Sequence, residues 1–153
     1  MSVVVESVLA RVGDPGARLL DLSAGVAPWS SALCARHPRL EAVAVDLPVG
    51  GDLSRVDLGV GFDTVLVSGG CGQFGEIQVR RLFERAAAAT APGGQILVID
   101  SLPDDDRSDG RSAGRVHGFA DYAAWLFDAG FVRIEAEPLG PAEQVLIRAR
   151  RPA

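Results

Sequence analysis

The sequence predicts an α/β fold, a doubly wound and mostly parallel sheet that ends in an antiparallel hairpin. Short apolar runs alternate with longer segments of helical period along the 153 residues. That alternation builds parallel sheets with helices on both faces. The runs are continuously apolar rather than alternating, as in Phe62-Asp63-Thr64-Val65-Leu66-Val67-Ser68, which suits strands buried on both sides. The last two runs are joined only by Pro138-Leu139-Gly140-Pro141, a connection of hairpin length.

Each element has its own signal. Residues 3–12 place Val4, Val8 and Val12 on one helical face, and Gly13-Asp14-Pro15-Gly16 stops the helix. Residues 18–22 form the first strand. Residues 28–37 form a helix with Pro28 in its first turn, where a missing N–H costs little, and Pro38 ends it. Residues 40–46 and 62–68 are the second and third strands. Residues 76–89 are a helix with Ile77, Val79, Leu82 and Phe83 toward the core and Arg80, Arg81, Glu84 and Arg85 toward water. Pro92-Gly93-Gly94 is a turn before a fourth strand at 95–100. Residues 121–129 are a helix with Tyr122, Trp125, Leu126 and Phe127 inward, closed by Gly130 in the C′ position. Residues 131–137 and 143–151 form the hairpin.

Composition narrows the function. A length of 153 residues fits a single domain, 1–153, with a core of its own. The net charge of −5 gives no electrostatic reason to expect nucleic acid or an anionic membrane. No apolar run approaches the roughly 18 residues that span a bilayer, and the N-terminus has no basic leader region. Cys34 and Cys71 are the only cysteines and have no metal-ligand spacing, so no metal is expected and a cytoplasmic, reducing setting is. All fifteen basic residues are arginine, which fits a GC-rich, bacterial genome.

The chemistry-bearing segment is Leu20-Asp21-Leu22-Ser23-Ala24-Gly25-Val26-Ala27-Pro28-Trp29. An apolar run ends in an acid, a small-residue turn follows, and a helix opens. Some twenty residues on, a second apolar run ends at Asp46. This arrangement holds a nucleoside-type cofactor at the carboxyl ends of two parallel strands, with the second acid placed to take both ribose hydroxyls. Ser23, Gly25 and Pro28 stand where a nicotinamide site has a fuller glycine pattern, which counts against a nicotinamide cofactor.

The chain resembles the catalytic domain of class I S-adenosylmethionine-dependent methyltransferases, a Rossmann-like fold. Within them it is most similar to bacterial small-molecule O-methyltransferases that carry an extra N-terminal dimerisation domain. The matching segments are Leu20-Asp21-Leu22-Ser23-Ala24-Gly25, Ala27-Pro28-Trp29-Ser30, Arg36-His37-Pro38, Val45-Asp46-Leu47-Pro48, Gly51-Asp52-Leu53, Ala91-Pro92-Gly93-Gly94 and Asp128-Ala129-Gly130-Phe131. The resemblance implies S-adenosylmethionine as cofactor and methyl transfer to a small-molecule acceptor. It implies that Asp21, Ser23, Gly25 and Ala27 face the methionine part, that Asp46 holds the ribose, and that Leu47, Asp52 and Leu53 border the adenine. Ser68 and Gly69 then border the sulfonium and the acceptor.

Departures from the family pattern shape the alternatives. Only Val49 and Gly50 separate Pro48 from Gly51, where family members have a helix and an edge strand. The sheet is therefore expected to lack one edge strand, leaving 40–46 as an exposed edge and opening a route to a homodimer through that edge or an apolar face. Gly72 stands where the family's catalytic His is expected. His117 is then the one histidine on the ligand side available as a general base, although a lone loop histidine is more often solvated. A reduced or redesigned scaffold that binds the cofactor without turnover is the alternative. Cys71, without a neighbouring cation or histidine, reads as a loop thiol. Asp104-Asp105-Asp106 reads as a solvated loop, His37 as a helix-end residue, and Cys34 as core.

Overall fold

Strand β1 (Arg18–Ser23) lies inside the sheet, and the chain leaves it in one direction and returns on its other side. The computed structural model describes residues 3–23, 28–46, 56–68, 74–101, 117–139 and 144–153. The elements run α1 (Val3–Val12), β1, α2 (Pro28–Arg36), β2 (Glu41–Asp46), β3 (Phe62–Ser68), α3 (Glu76–Ala89), β4 (Thr90–Ser101), α4 (Phe119–Asp128), β5 (Val132–Pro138) and β6 (Gln144–Arg150). The strand order is β2-β1-β3-β4-β6-β5. Pairings among β2, β1, β3 and β4 are parallel. β6 runs antiparallel to both β4 and β5, so the hairpin reverses one strand only. Among the described residues β2 is an outermost strand, as expected, and Val43 on it is 41% exposed.

The apolar runs are continuous because successive residues feed two cores. Leu20, Leu22, Val65, Val67, Ile96 and Val98 face one core with Val79, Leu82 and Phe83 of α3 and Tyr122, Trp125 and Leu126 of α4. Leu19, Leu66, Leu97 and Ile99 face the other with Val8, Leu9 and Val12 of α1 and Trp29 and Leu33 of α2. Period-two alternation with both faces covered makes successive strand residues apolar, whichever face they point to.

Two helix positions differ from expectation. Ile77 is 70% exposed and Phe127 is 65% exposed. Each lies two residues from a buried neighbour, Val79 and Trp125 respectively. Two residues are about 200° around a helix, which turns the side chain outward. Helix α4 begins at Phe119, two residues before the expected start, because the Asp121 carboxylate accepts the Gly118 N–H at 3.0 Å and closes the first turn. Its end is as expected: Gly130, at φ 108°, donates to Phe127 O, and Phe131 donates to Leu126 O. That is a Schellman closure, with Leu126 and Phe131 both buried.

The expected turn at Pro92-Gly93-Gly94 is a bulge within β4. The register steps from Phe62↔Thr90 to Thr64↔Gln95, and Gly93 takes φ 80°. A Cβ on Gly94 would come within 2.9 Å of the Ala91 and Asp63 carbonyl oxygens, so glycine lets the strands close there.

The amino ends of the strands are closed by the chain's own polar groups. The Asp63 carboxylate accepts the Ala17 and Arg18 N–H groups at 2.8 and 3.0 Å. Buried Thr64 donates to Pro15 O at 2.7 Å and accepts from Gln95 Nε2 at 3.1 Å. The Arg18 guanidinium lies 4.5 Å over the Phe62 ring and donates to Val60 O.

Gly16 and Gly13 separate backbone strain from crowding at this clamp. Both have positive φ, but a Cβ on Gly16 would fall 2.4 Å from Asp63 Cβ, whereas one on Gly13 meets nothing within 4 Å. Gly13→Ala is expected to cost about 1 kcal/mol and Gly16→Ala about 2–4 kcal/mol in urea unfolding. Equal losses would show that the Asp63 clamp contributes nothing beyond local strain.

Candidate functional site

The chain order around β1 creates the site. From β1 the chain crosses through α2 to β2, and from β3 it crosses through α3 to β4 on the far side. α2 and α3 pack on opposite faces. The carboxyl ends of β1 and β3 therefore open into a crevice, where open α/β sheets bind ligands. In register, Ser23 pairs with Asp46 on one side and Ser68 on the other, and Ser68 pairs with Ile99 of β4. Asp46, Ser23 and Ser68 thus stand at one level on three adjacent strands, each about 4.8 Å from the next.

Asp21 is the buried carboxylate of this edge, two residues before the end of β1. Its Oδ2 accepts the Ser30 backbone N–H at 3.2 Å. Ser30 is in the first turn of α2, where N–H groups lack intrahelical partners, so Asp21 also caps this helix from the neighbouring strand. Its Oδ1 is buried without a hydrogen-bond partner. Burial raises its pKa above the ordinary 3.8, and the Ser30 hydrogen bonds oppose the rise. The orphaned oxygen fits a ligand that brings hydrogen-bond donors, as an amino acid ammonium group does.

The other expected contacts divide. Ser23 and Asp46 end adjacent strands in register, which suits a ligand laid across both ends. Ser68, buried, ends β3. Gly25, Ala27, Leu47, Asp52, Leu53 and Gly69 lie outside the described residues, as do Cys71, Gly72 and the acidic run at 104–106. Trp29 and Leu33 are core residues of the α2 face. Cys34 is a free, half-buried thiol with its Sγ 3.8 Å from Leu40 O. Among the described residues no His, Cys, Asp and Glu cluster could hold a metal, and no helix is long and apolar enough to cross a membrane.

His117 is buried at the entry to α4, and its Nε2 lies 2.8 Å from Phe74 O. A carbonyl only accepts, so the Nε2 proton is committed to it. The ring sits edge-on to Trp125 and Tyr122 at 4.8 and 5.7 Å between centroids. This geometry makes His117 a staple between the segment before α3 and the start of α4.

Reading the sequence alone missed Asp100. It stands near the carboxyl end of β4 and accepts the Tyr122 hydroxyl at 2.9 Å. The signal was available, since Ile99-Asp100 repeats the apolar-run-then-acid pattern of Val45-Asp46.

Comparison with known proteins agrees with this architecture. The chain has the class I methyltransferase fold in shortened form: it superposes on S-adenosylmethionine-dependent and O-methyltransferase structures over nearly its whole length. Human N-acetylserotonin methyltransferase, solved with S-adenosylmethionine, matches with a TM-score of 0.77 at 23% identity, over 97% of this chain and 52% of that one. Mitomycin 7-O-methyltransferase matches with a TM-score of 0.78 at 21% identity, over 97% of this chain and 53% of that one. In sequence, the chain is 30% identical to 3-hydroxy-5-methyl-1-naphthoate 3-O-methyltransferase of Streptomyces sahachiroi, over 74% of this chain and 42% of that protein. The chain thus spans about half the length of the proteins it matches. No protein-family model matches it.

The raised pKa of Asp21 gives a signed prediction. A carboxyl whose folded value lies above its unfolded value costs stability once ionised. The cost is absent below 3.8, grows as pH rises toward the folded value, and is constant above it. Asp21→Asn keeps an acceptor for the Ser30 N–H and cannot ionise. Its stability relative to the parent is expected to rise as the pH is raised above 3.8 and to level off once the folded carboxyl is ionised, in urea unfolding. A difference that is flat or falls with pH would contradict the burial argument.

Proposed function

We propose that this chain binds S-adenosylmethionine across the carboxyl ends of β1 and β2 and transfers its methyl group to the hydroxyl of a small molecule. The observation that carries the reading is the orphaned buried oxygen of Asp21 on β1, the strand at which the chain order reverses. The Streptomyces relative and the two solved methyltransferases support the same chemistry. When bound, the cofactor supplies a methyl group already activated by a sulfonium. The protein's task is then alignment and exclusion of water.

In this reading Asp21, Ser23, Gly25 and Ala27 hold the amino acid end. Asp46 takes the ribose hydroxyls, and Leu47, Asp52 and Leu53 flank the base. Ser68 and Gly69 border the transferred methyl. His117 is held to Phe74 O by its Nε2 proton, which leaves Nδ1 as the nitrogen that would act as the general base. A hydroxylated aromatic acid is the first acceptor to test, after the hydroxynaphthoate named for the relative. A cytoplasmic, bacterial setting fits the free thiol of Cys34 and the Streptomyces relative. The scaffold reading, binding without turnover, is favoured by Gly72 in place of the family's His.

Titration calorimetry with S-adenosylmethionine and S-adenosylhomocysteine is expected to show saturable binding, weakened about 10- to 100-fold by Asp46→Ala, the value of a hydrogen-bonded carboxylate. No binding by folded protein would overturn the reading. The outermost position of β2 also supports a homodimer by edge pairing. Light scattering is expected to show a mass that rises with concentration and becomes monomeric in Ala44→Pro; a monomer at every concentration would remove the dimer.

A further inference from the structure

The two oxygens of Asp21 have different surroundings, and one residue decides which is which. On β1, Leu20 and Leu22 face the α3–α4 core and Leu19 faces the α1–α2 core. Alternation therefore sends Asp21 to the α2 side. There Ser30, in the first turn of α2, donates its backbone N–H to Asp21 Oδ2 at 3.2 Å. The Ser30 side chain hydrogen-bonds the same carboxylate. Oδ1 is buried without a hydrogen-bond partner. The residues in register with Asp21 are Ala44 on β2 and Leu66 on β3, which bring no side-chain donor.

A carboxylate's last torsion is soft and its two oxygens are chemically equivalent. Ser30 removes both freedoms. Its donors anchor Oδ2, which fixes the torsion and leaves Oδ1 as the open oxygen. Ser30 can give its N–H to the strand because first-turn N–H groups have no intrahelical partner. The same bonds favour the ionised carboxyl, against burial, which favours the neutral acid more strongly. Ionisation matters for recognition, because an ammonium group makes its charge-assisted hydrogen bond to the carboxylate and not to the neutral acid.

We propose that Ser30 is a positioning residue for cofactor recognition: by holding Asp21 Oδ2 it reserves Oδ1 for the ligand's ammonium group, and so sets the preference for nucleosides that carry an amino acid over nucleosides that do not. The proposal rests on the S-adenosylmethionine reading. Ser30 acts through Asp21 and makes no contact of its own with the ligand, since its donors are spent on the carboxylate. Losing the hydroxyl frees the torsion and removes a bond that favours the ionised form. Both effects weaken the hold on an ammonium group. Neither touches the ribose or the base, which belong to the ends of other segments.

The test is calorimetry of the full chain with two ligands, S-adenosylhomocysteine and methylthioadenosine, the latter a nucleoside thioether without the amino acid. Urea unfolding of each variant separates a lost contact from a lost fold. Ser30→Ala removes the hydroxyl and keeps the backbone donor. It is expected to bind S-adenosylhomocysteine about 10-fold more weakly and methylthioadenosine within about 2-fold of the parent. Ser30→Thr restores the hydroxyl and returns S-adenosylhomocysteine to within about 3-fold of the parent. Ser30→Cys, with a weaker donor of similar size, falls between them. Asp21→Asn loses the charge and weakens S-adenosylhomocysteine about 10-fold or more, again sparing methylthioadenosine. Parental S-adenosylhomocysteine affinity in Ser30→Ala overturns the proposal and leaves cofactor binding standing. Equal losses for the two ligands also overturn it, because they assign Ser30 to the placement of α2 as a whole. Failure of the parent to bind either ligand overturns the underlying reading itself.

Discussion

The structure depends on the place of β1 between β2 and β3. Crossovers between parallel strands are right-handed. A chain that leaves β1 to one side and later leaves β3 to the other must therefore put α2 and α3 on opposite faces. Nothing else needs to be specified for a crevice to form at the carboxyl ends, because the two helices that would fill it have been sent apart. Trp29 and Leu33 on one side and Val79, Leu82 and Phe83 on the other record that divergence in two separate cores.

The two ends of the sheet are treated differently by the same kinds of residue. At the amino ends, Asp63 and Thr64 satisfy backbone groups and Gln95 donates to Thr64. A buried polar group without a partner costs about 1–3 kcal/mol, and these interactions avoid it. At the carboxyl side, Asp21 leaves one oxygen buried and unpaired. A fold that closes one end completely and leaves a carboxylate incomplete at the other has its binding capacity at the incomplete end. Asp21 meanwhile caps α2, so ligand binding and helix placement share one side chain.

Much of the fold was legible because it is local. Buried runs, Gly-Pro punctuation and the Gly130 closure sit within a few residues of the elements they define. Ile77 and Phe127 were misread because apolarity alone does not say which side of a helix a residue occupies; a two-residue offset from the core stripe decides it. The cofactor edge was legible in part, since an acid at a strand end is a local pattern. The Asp100–Tyr122 pair was not, because the partners lie 22 positions apart in sequence and meet only once α4 packs on the sheet. The bond from His117 Nε2 to the Phe74 carbonyl was not legible either, because it joins residues 43 positions apart.

The central claim is that ligand recognition belongs to the carboxyl ends of β1, β2 and β3 and to the first turn of α2. Amide NMR spectra of the chain titrated with S-adenosylhomocysteine test it most directly. The account predicts that the largest shifts fall on Leu22, Ser23, Ser30, Asp46 and Ser68, while Ala17, Arg18, Thr64 and Gln95 stay still. Shifts centred on that second group, or spread evenly over both ends of the sheet, would contradict it.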